Sequence, residues 1–160
     1  MRPGGIRTLS PGERALADEM FAGRVAVERV RLFAIPVWRR AFVPGGRWIV
    51  WPGHTARQDF ATAPLAVQAV FVHELTHVWQ AQSGVNLIWG KLSAGDGARA
   101  YAYDLSAIGD FRSLNIEQQA MVVQDAFLAA RGVRMAYESA AYSAILATWP
   151  DSPWSSPHQV

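Results

Sequence analysis

His73-Glu74-Leu75-Thr76-His77 sets two imidazoles four residues apart with a carboxylate beside the first. At 3.6 residues per helical turn, the two histidines share one face about 40° out of register, so both can reach a single metal ion while Glu74 leans over the same point. That is the working part of a zinc hydrolase: His73 and His77 as metal ligands, Glu74 as general base. The pentad sits among Leu65, Val67, Val70, Phe71, Val72, Leu75, Val78 and Trp79. A stretch apolar on nearly all sides reads as a helix enclosed by the rest of the domain. Buried imidazoles and carboxylates need partners, and a divalent cation supplies one to all three.

The elements that would position this helix can be read in outline. Ser10-Pro11-Gly12-Glu13 is a capping box that starts a helix running to about Phe21 and stopped by Gly23. Residues 25–34 and 47–51 read as strands, with Pro44-Gly45-Gly46 turning the chain between them into a small sheet, a hairpin that Pro36 and Pro52 confine to an edge. The motif helix spans roughly Thr62 to Gly84, where glycine closes it. Residues 85–114 read as irregular cover over the cleft, with turns at Gly90 and at 94–97. Asn115 caps a further helix with Gln118 at its third position, running to Arg131, and a last helix covers about Met135 to Trp149. The fold class is therefore α+β and mostly helical. Residues 1–150 form one domain, and the proline- and serine-rich residues 151–160 form a loose tail.

A catalytic zinc takes three protein ligands and leaves a fourth position to water. The extended pattern HExxHxxGxxH is absent, since Gln80 stands where its glycine would be. A later carboxylate is the other solution, and the candidates are Asp104, Asp110, Glu117 and Asp125. Glu117 is best placed, in the first turn of a capped helix whose apolar residues suit packing beside the motif helix. Tyr101, Tyr103, Tyr137 and His54 are the available donors for an oxyanion.

FVHELTHVWQ at 71–80, YAYDL at 101–105 and NIEQQA at 115–120, with LSPGERALADEMF and RVRLF in the front half, resemble a family of small bacterial zincin-like proteins labelled as Vgr-related and encoded near contractile secretion systems. The resemblance covers most of residues 8–130. It implies a minimal zincin-like domain with a small edge sheet and a buried HExxH helix, a gluzincin-like site in which His73, His77 and Glu117 hold Zn2+, and Glu74 as the base. Where thermolysin-like sequences carry an aspartate four residues after the glutamate ligand to steady the first histidine, this chain has Met121, so Asp104 or Asp125 is expected to take that part instead.

Composition bounds the rest. Half the 160 residues are hydrophobic and 18% are charged, which excludes a disordered chain. There is no cysteine, hence no disulfide, thiolate metal site or thiol nucleophile. Residues 1–60 carry ten arginines against five acids, and residues 61–160 carry five bases against eight. Arg39-Arg40 with Trp38, Phe42 and Arg47 has the ingredients of a nucleic-acid patch, but arginines scattered on a surface hairpin are ordinarily just solvated, so no nucleic acid is expected. No segment has signal-peptide or membrane-span character, and the expectation is a cytoplasmic chain, exported only if a leaderless machine carries it. The first reading is a zinc metallopeptidase acting on peptide or protein. The alternative is a catalytically silent zinc-binding adaptor of a bacterial contractile secretion system.

Overall fold

The computed structural model describes residues 1–95 and 97–149. The tail expected at 151–160 lies outside them, as does Asp96 of the turn expected at 94–97. The fold is α+β. Its sheet has four short strands, β1 (Ile6–Thr8), β2 (Arg31–Ile35), β3 (Phe42–Gly45) and β4 (Trp48–Pro52), in the order β1-β2-β4-β3. Its helices are α1 (Pro11–Phe21), α2 (Leu65–Gln82), α3 (Leu87–Ala94), α4 (Ile116–Ala130) and α5 (Ser139–Ala147).

The sheet differs from the expected hairpin. β2 and β4 run parallel, with Leu32 opposite Ile49 and Ala34 opposite Trp51. Parallel neighbours cannot be joined by a tight turn. The chain leaving Ile35 therefore passes beyond the place of β4 and returns as β3, which then pairs antiparallel with β4. Pro36 and Pro52 thus mark the ends of the two central strands rather than an edge. The edge strand beside the motif helix is β3, and it contains Pro44, where a missing N–H is tolerated. β2 also begins later than expected, because Val27–Arg29 is a 3-10 turn.

Helix α1 starts as its residues dictate. Ser10 Oγ accepts from the Glu13 backbone N–H, and the Glu13 carboxylate accepts from that of Ser10. The same carboxylate, fully buried, takes two guanidinium N–H groups from Arg7 at 2.6 Å and the Phe60 N–H at 2.9 Å. One capping residue thereby ties β1 and the approach to α2 onto α1.

Helix α2 runs between the sheet and α4, in contact with β3 and β4 on one side and along α4 on the other. That placement is why it is apolar all round. Phe60 and Phe71 stack with ring centroids 5.0 Å apart, and Trp51 closes on Phe60 at 4.3 Å. Gly84, at φ 91°, ends the helix in the conformation glycine favours. Two other boundaries differ from expectation. α5 begins only at Ser139. Gly90, read as a turn, lies inside α3, where a Cβ would come within 2.9 Å of the Ile116 side chain. The glycine is there for close approach of two helices. Among the described residues, no helix is long and apolar enough to cross a membrane.

Candidate metal centre

One helical turn of α2 presents His73 and His77 together, with their Nε2 atoms 3.2 Å apart. Helix α4 supplies the third group. Asn115 caps it by accepting from the N–H groups of Glu117 and Gln118, which fixes its first turn beside α2. Glu117 Oε2 then lies 3.4 Å from each histidine Nε2. All three residues are buried.

The three ligand atoms form a triangle with edges of 3.2, 3.4 and 3.4 Å. A tetrahedral ion with bonds of about 2.0–2.1 Å to N and O donors requires ligand atoms roughly 3.3 Å apart. His73, His77 and Glu117 can therefore hold a metal ion without rearrangement, and they are the one such group among the described residues. Glu74, on the same helix, is buried with its Oε2 lacking a hydrogen-bond partner among the described residues. It lines the cleft beside the triangle but contributes no edge to it.

The protons are arranged to suit a cation. Gln80 donates through Nε2 to the Ile116 carbonyl at 3.0 Å and to Gln119 Oε1 at 2.9 Å. Its Oε1 must then accept, and it does so from His77 Nδ1 at 2.8 Å. Neutral His77 consequently keeps its proton on Nδ1 and turns a lone pair on Nε2 toward the triangle. Burial pulls the His73 pKa below its usual value, which keeps that ring neutral. Burial also opposes charge on His77, but Glu117, Glu74 and Gln80 outweigh it and raise that pKa in the absence of a metal. Burial pushes the Glu74 carboxyl up to about 7. For Glu117, burial is opposed by hydrogen bonds with both histidines and with Lys91, which together hold it ionised far below the usual carboxylate range.

Lys91, from α3, donates to Glu117 Oε1 at 2.6 Å and to the Tyr101 hydroxyl at 2.8 Å. The carboxylate is thus divided, one oxygen toward the imidazoles and one toward an ammonium. Gly90, by letting α3 close on Ile116, brings Lys91 within reach. A cleft of about 390 Å³ opens over the triangle, bounded by β3 on one side and α3 on the other.

Of the other residues considered from sequence, Tyr101 lines this cleft. The remainder are engaged elsewhere. Asp104 is exposed and bonded to Ser106 and Tyr137, Asp110 is half-buried and paired with Arg112, and Asp125 accepts from Tyr103. His54 is exposed and does not line the cleft. Neither Asp104 nor Asp125 reaches an imidazole: Gln80 supports His77, and His73 Nδ1 has no hydrogen-bond partner among the described residues, so the aspartate support expected for the first histidine is not found there. Sequence reasoning passed over Gln80 and Lys91. The spacing of Gln80, three residues after His77 on one helix, carried a usable signal. Lys91 carried none.

No protein-family model matches the chain. It is 32% identical over 155 residues to the type VI secretion system spike protein VgrG2b of Pseudomonas aeruginosa, an alignment that takes in 90% of this chain. The chain spans about 15% of the length of that curated relative. Among solved structures it matches the effector domain of Pseudomonas aeruginosa VgrG2b with a TM-score of 0.70 and 32% identity, over 89% of this chain and 82% of that one.

Proposed function

This chain belongs to the family of the VgrG2b effector domain, and from that premise we propose that it is a zinc-dependent peptide hydrolase serving a bacterial type VI secretion system. The observation that carries the chemistry is the ligand triangle of His73, His77 and Glu117 with buried, non-ligating Glu74 beside it. Two imidazoles and one carboxylate are the donor set of a catalytic zinc with an open position, whereas a structural zinc site is closed by four protein ligands. This donor set is what gluzincin-like sites use. Zinc, when bound there, supplies a Lewis acid and lowers the pKa of water toward neutrality.

The chain's own groups do the rest. Glu74, buried beside the triangle without ligating it, accepts a proton from the attacking water and delivers it to the leaving amine. Tyr101 accepts from Lys91, which leaves its own O–H to donate to the developing oxyanion. Lys91 and Gln80 are positioning residues, holding Glu117 and His77 in the orientation that binds metal. The substrate is a peptide or protein, and the chain, made in the cytoplasm, reaches it through the secretion apparatus.

A second reading is an adaptor of the same apparatus with a silent zinc site, and the kinship with a spike protein favours it. One pair of measurements divides the two: metal content of the purified protein, and hydrolysis of a mixed peptide library by wild type and Glu74→Gln. Stoichiometric zinc with hydrolysis lost in Glu74→Gln supports the enzyme. Full zinc with no hydrolysis by wild type leaves the adaptor. Folded protein that takes up no zinc removes both.

A further inference from the structure

The groove over the metal centre has two unlike halves. Ala41, His73, Glu74 and Tyr101 line both, so the halves meet at the ligand triangle. The first half is walled by Phe42, Val43 and Pro44 of β3 and by Leu87, Ile88 and Leu92 of α3. Ile88 and Leu92, one turn apart, are 69% and 68% exposed, and α3 buries none of its residues. A helix whose large aliphatic side chains face a groove instead of the core leaves apolar surface in water. Contiguous surface of that kind marks a place where a ligand sits.

The second half, about 370 Å³, carries Arg39 and Arg40 from the connection between β2 and β3. Both are exposed, and among the described residues neither forms a hydrogen bond or an ion pair. Glu74 is the one acid lining that half. Trp38 packs edge-on against Phe42 with centroids 5.8 Å apart, so the segment bearing the arginines is anchored to the apolar wall. Two adjacent guanidinium groups present planar donor forks that match carboxylates.

We propose that the groove selects a peptide segment with acidic side chains on one side of the scissile bond and a bulky apolar side chain on the other, Arg39 and Arg40 receiving the carboxylates and Phe42, Ile88 and Leu92 the apolar group. The inference rests on the reading of the site as a peptide hydrolase. A uniformly anionic polymer would satisfy the arginines and leave the apolar half uncovered; a peptide carrying both kinds of side chain fills both.

The test uses purified Glu74→Gln protein and fluorescent peptides of one length that differ by Asp or Glu, Asn or Gln, or Lys at the charged end. Fluorescence anisotropy should show the acidic peptides binding roughly five- to tenfold tighter than their amide counterparts, with the gap closing by about 0.5 M salt. Arg39→Glu with Arg40→Glu should turn the order toward the Lys peptides. Ile88→Ser with Leu92→Ser should erase the apolar preference and leave the acidic one. In a cleavage map of a mixed peptide library with wild type, the two preferences should fall on opposite sides of the cut bond. Equal binding of acidic and amide peptides, an order unmoved by charge reversal, or both preferences on the same side would overturn the proposal. So would a single-stranded oligonucleotide that binds tighter than the acidic peptides. Failure of wild type to cleave while the binding order holds would count against the hydrolase and uphold the groove's selectivity.

Discussion

Gln80 Oε1 accepts a hydrogen bond from His77 Nδ1 at 2.8 Å, and the two bonds donated by the Gln80 amide nitrogen fix that direction. The contact locks the tautomer His77 needs in order to offer Nε2 to a cation. Gln80→Ala should therefore lower zinc affinity by about 10- to 100-fold in competition with a chromophoric chelator, the usual effect of losing such a support. Unchanged affinity would mean that the tautomer is set by something else.

Glu117 and Asp110 offer a matched comparison, one carboxylate buried at the triangle and one half-buried beside Arg112, away from it. Glu117→Ala should weaken zinc binding by at least about tenfold, because it removes a direct donor. Asp110→Ala should leave it unaltered. Titration of both variants with zinc by calorimetry reads the difference.

Glu74→Gln preserves shape and removes the base. Zinc content and thermal midpoint of the loaded protein should hold, while peptide hydrolysis should fall by about 10²–10⁴-fold. An unchanged rate would assign the activity to another site. His73→Ala, by contrast, should lose metal along with activity.

Much of the site is local, and that part is legible in sequence. His73, Glu74 and His77 are brought together by one turn of one helix, and the caps Ser10 with Glu13 and Asn115 with Gln118 form from residues three apart. Glu117 could be singled out because an apolar, capped helix had to pack somewhere. What sequence hides is set by neighbours distant along the chain. The four residues of β3 include a proline and make a strand only because β4 lies beside them. Gly90 reads as a break until Ile116 is seen pressing on it. Lys91 reaches Glu117 across 26 positions, with no spacing rule to announce it.

The metal-free protein should show an inverse pH signature at Glu74. Burial raises this carboxyl from an ordinary 4.5 to about 7, so the folded state holds the proton more tightly than the unfolded chain. Its contribution to folding is whole below pH 4.5 and is lost as the pH climbs to about 7. Metal-free Glu74→Gln should therefore be more stable than metal-free wild type at about pH 8, by on the order of 3 kcal/mol, with the difference vanishing near pH 4.5. Urea denaturation of chelator-treated protein at both pH values measures it. Equal stability at the higher pH would show that Glu74 is solvated when the protein is free of metal.

Helix α3 holds its place through Gly90 against Ile116 and through Lys91, while its outer residues Ile88 and Leu92 bury nothing. Changes at those two positions consequently fall on the groove without passing through the core, and exposed substitutions of that sort ordinarily shift stability by no more than about 0.5 kcal/mol. This wall of the groove can thus change at almost no cost to folding, while Gly90 and Lys91 beneath it hold the helix in place. Such a division lets one scaffold be retargeted repeatedly, by natural variation or by design, through a single exposed turn of helix.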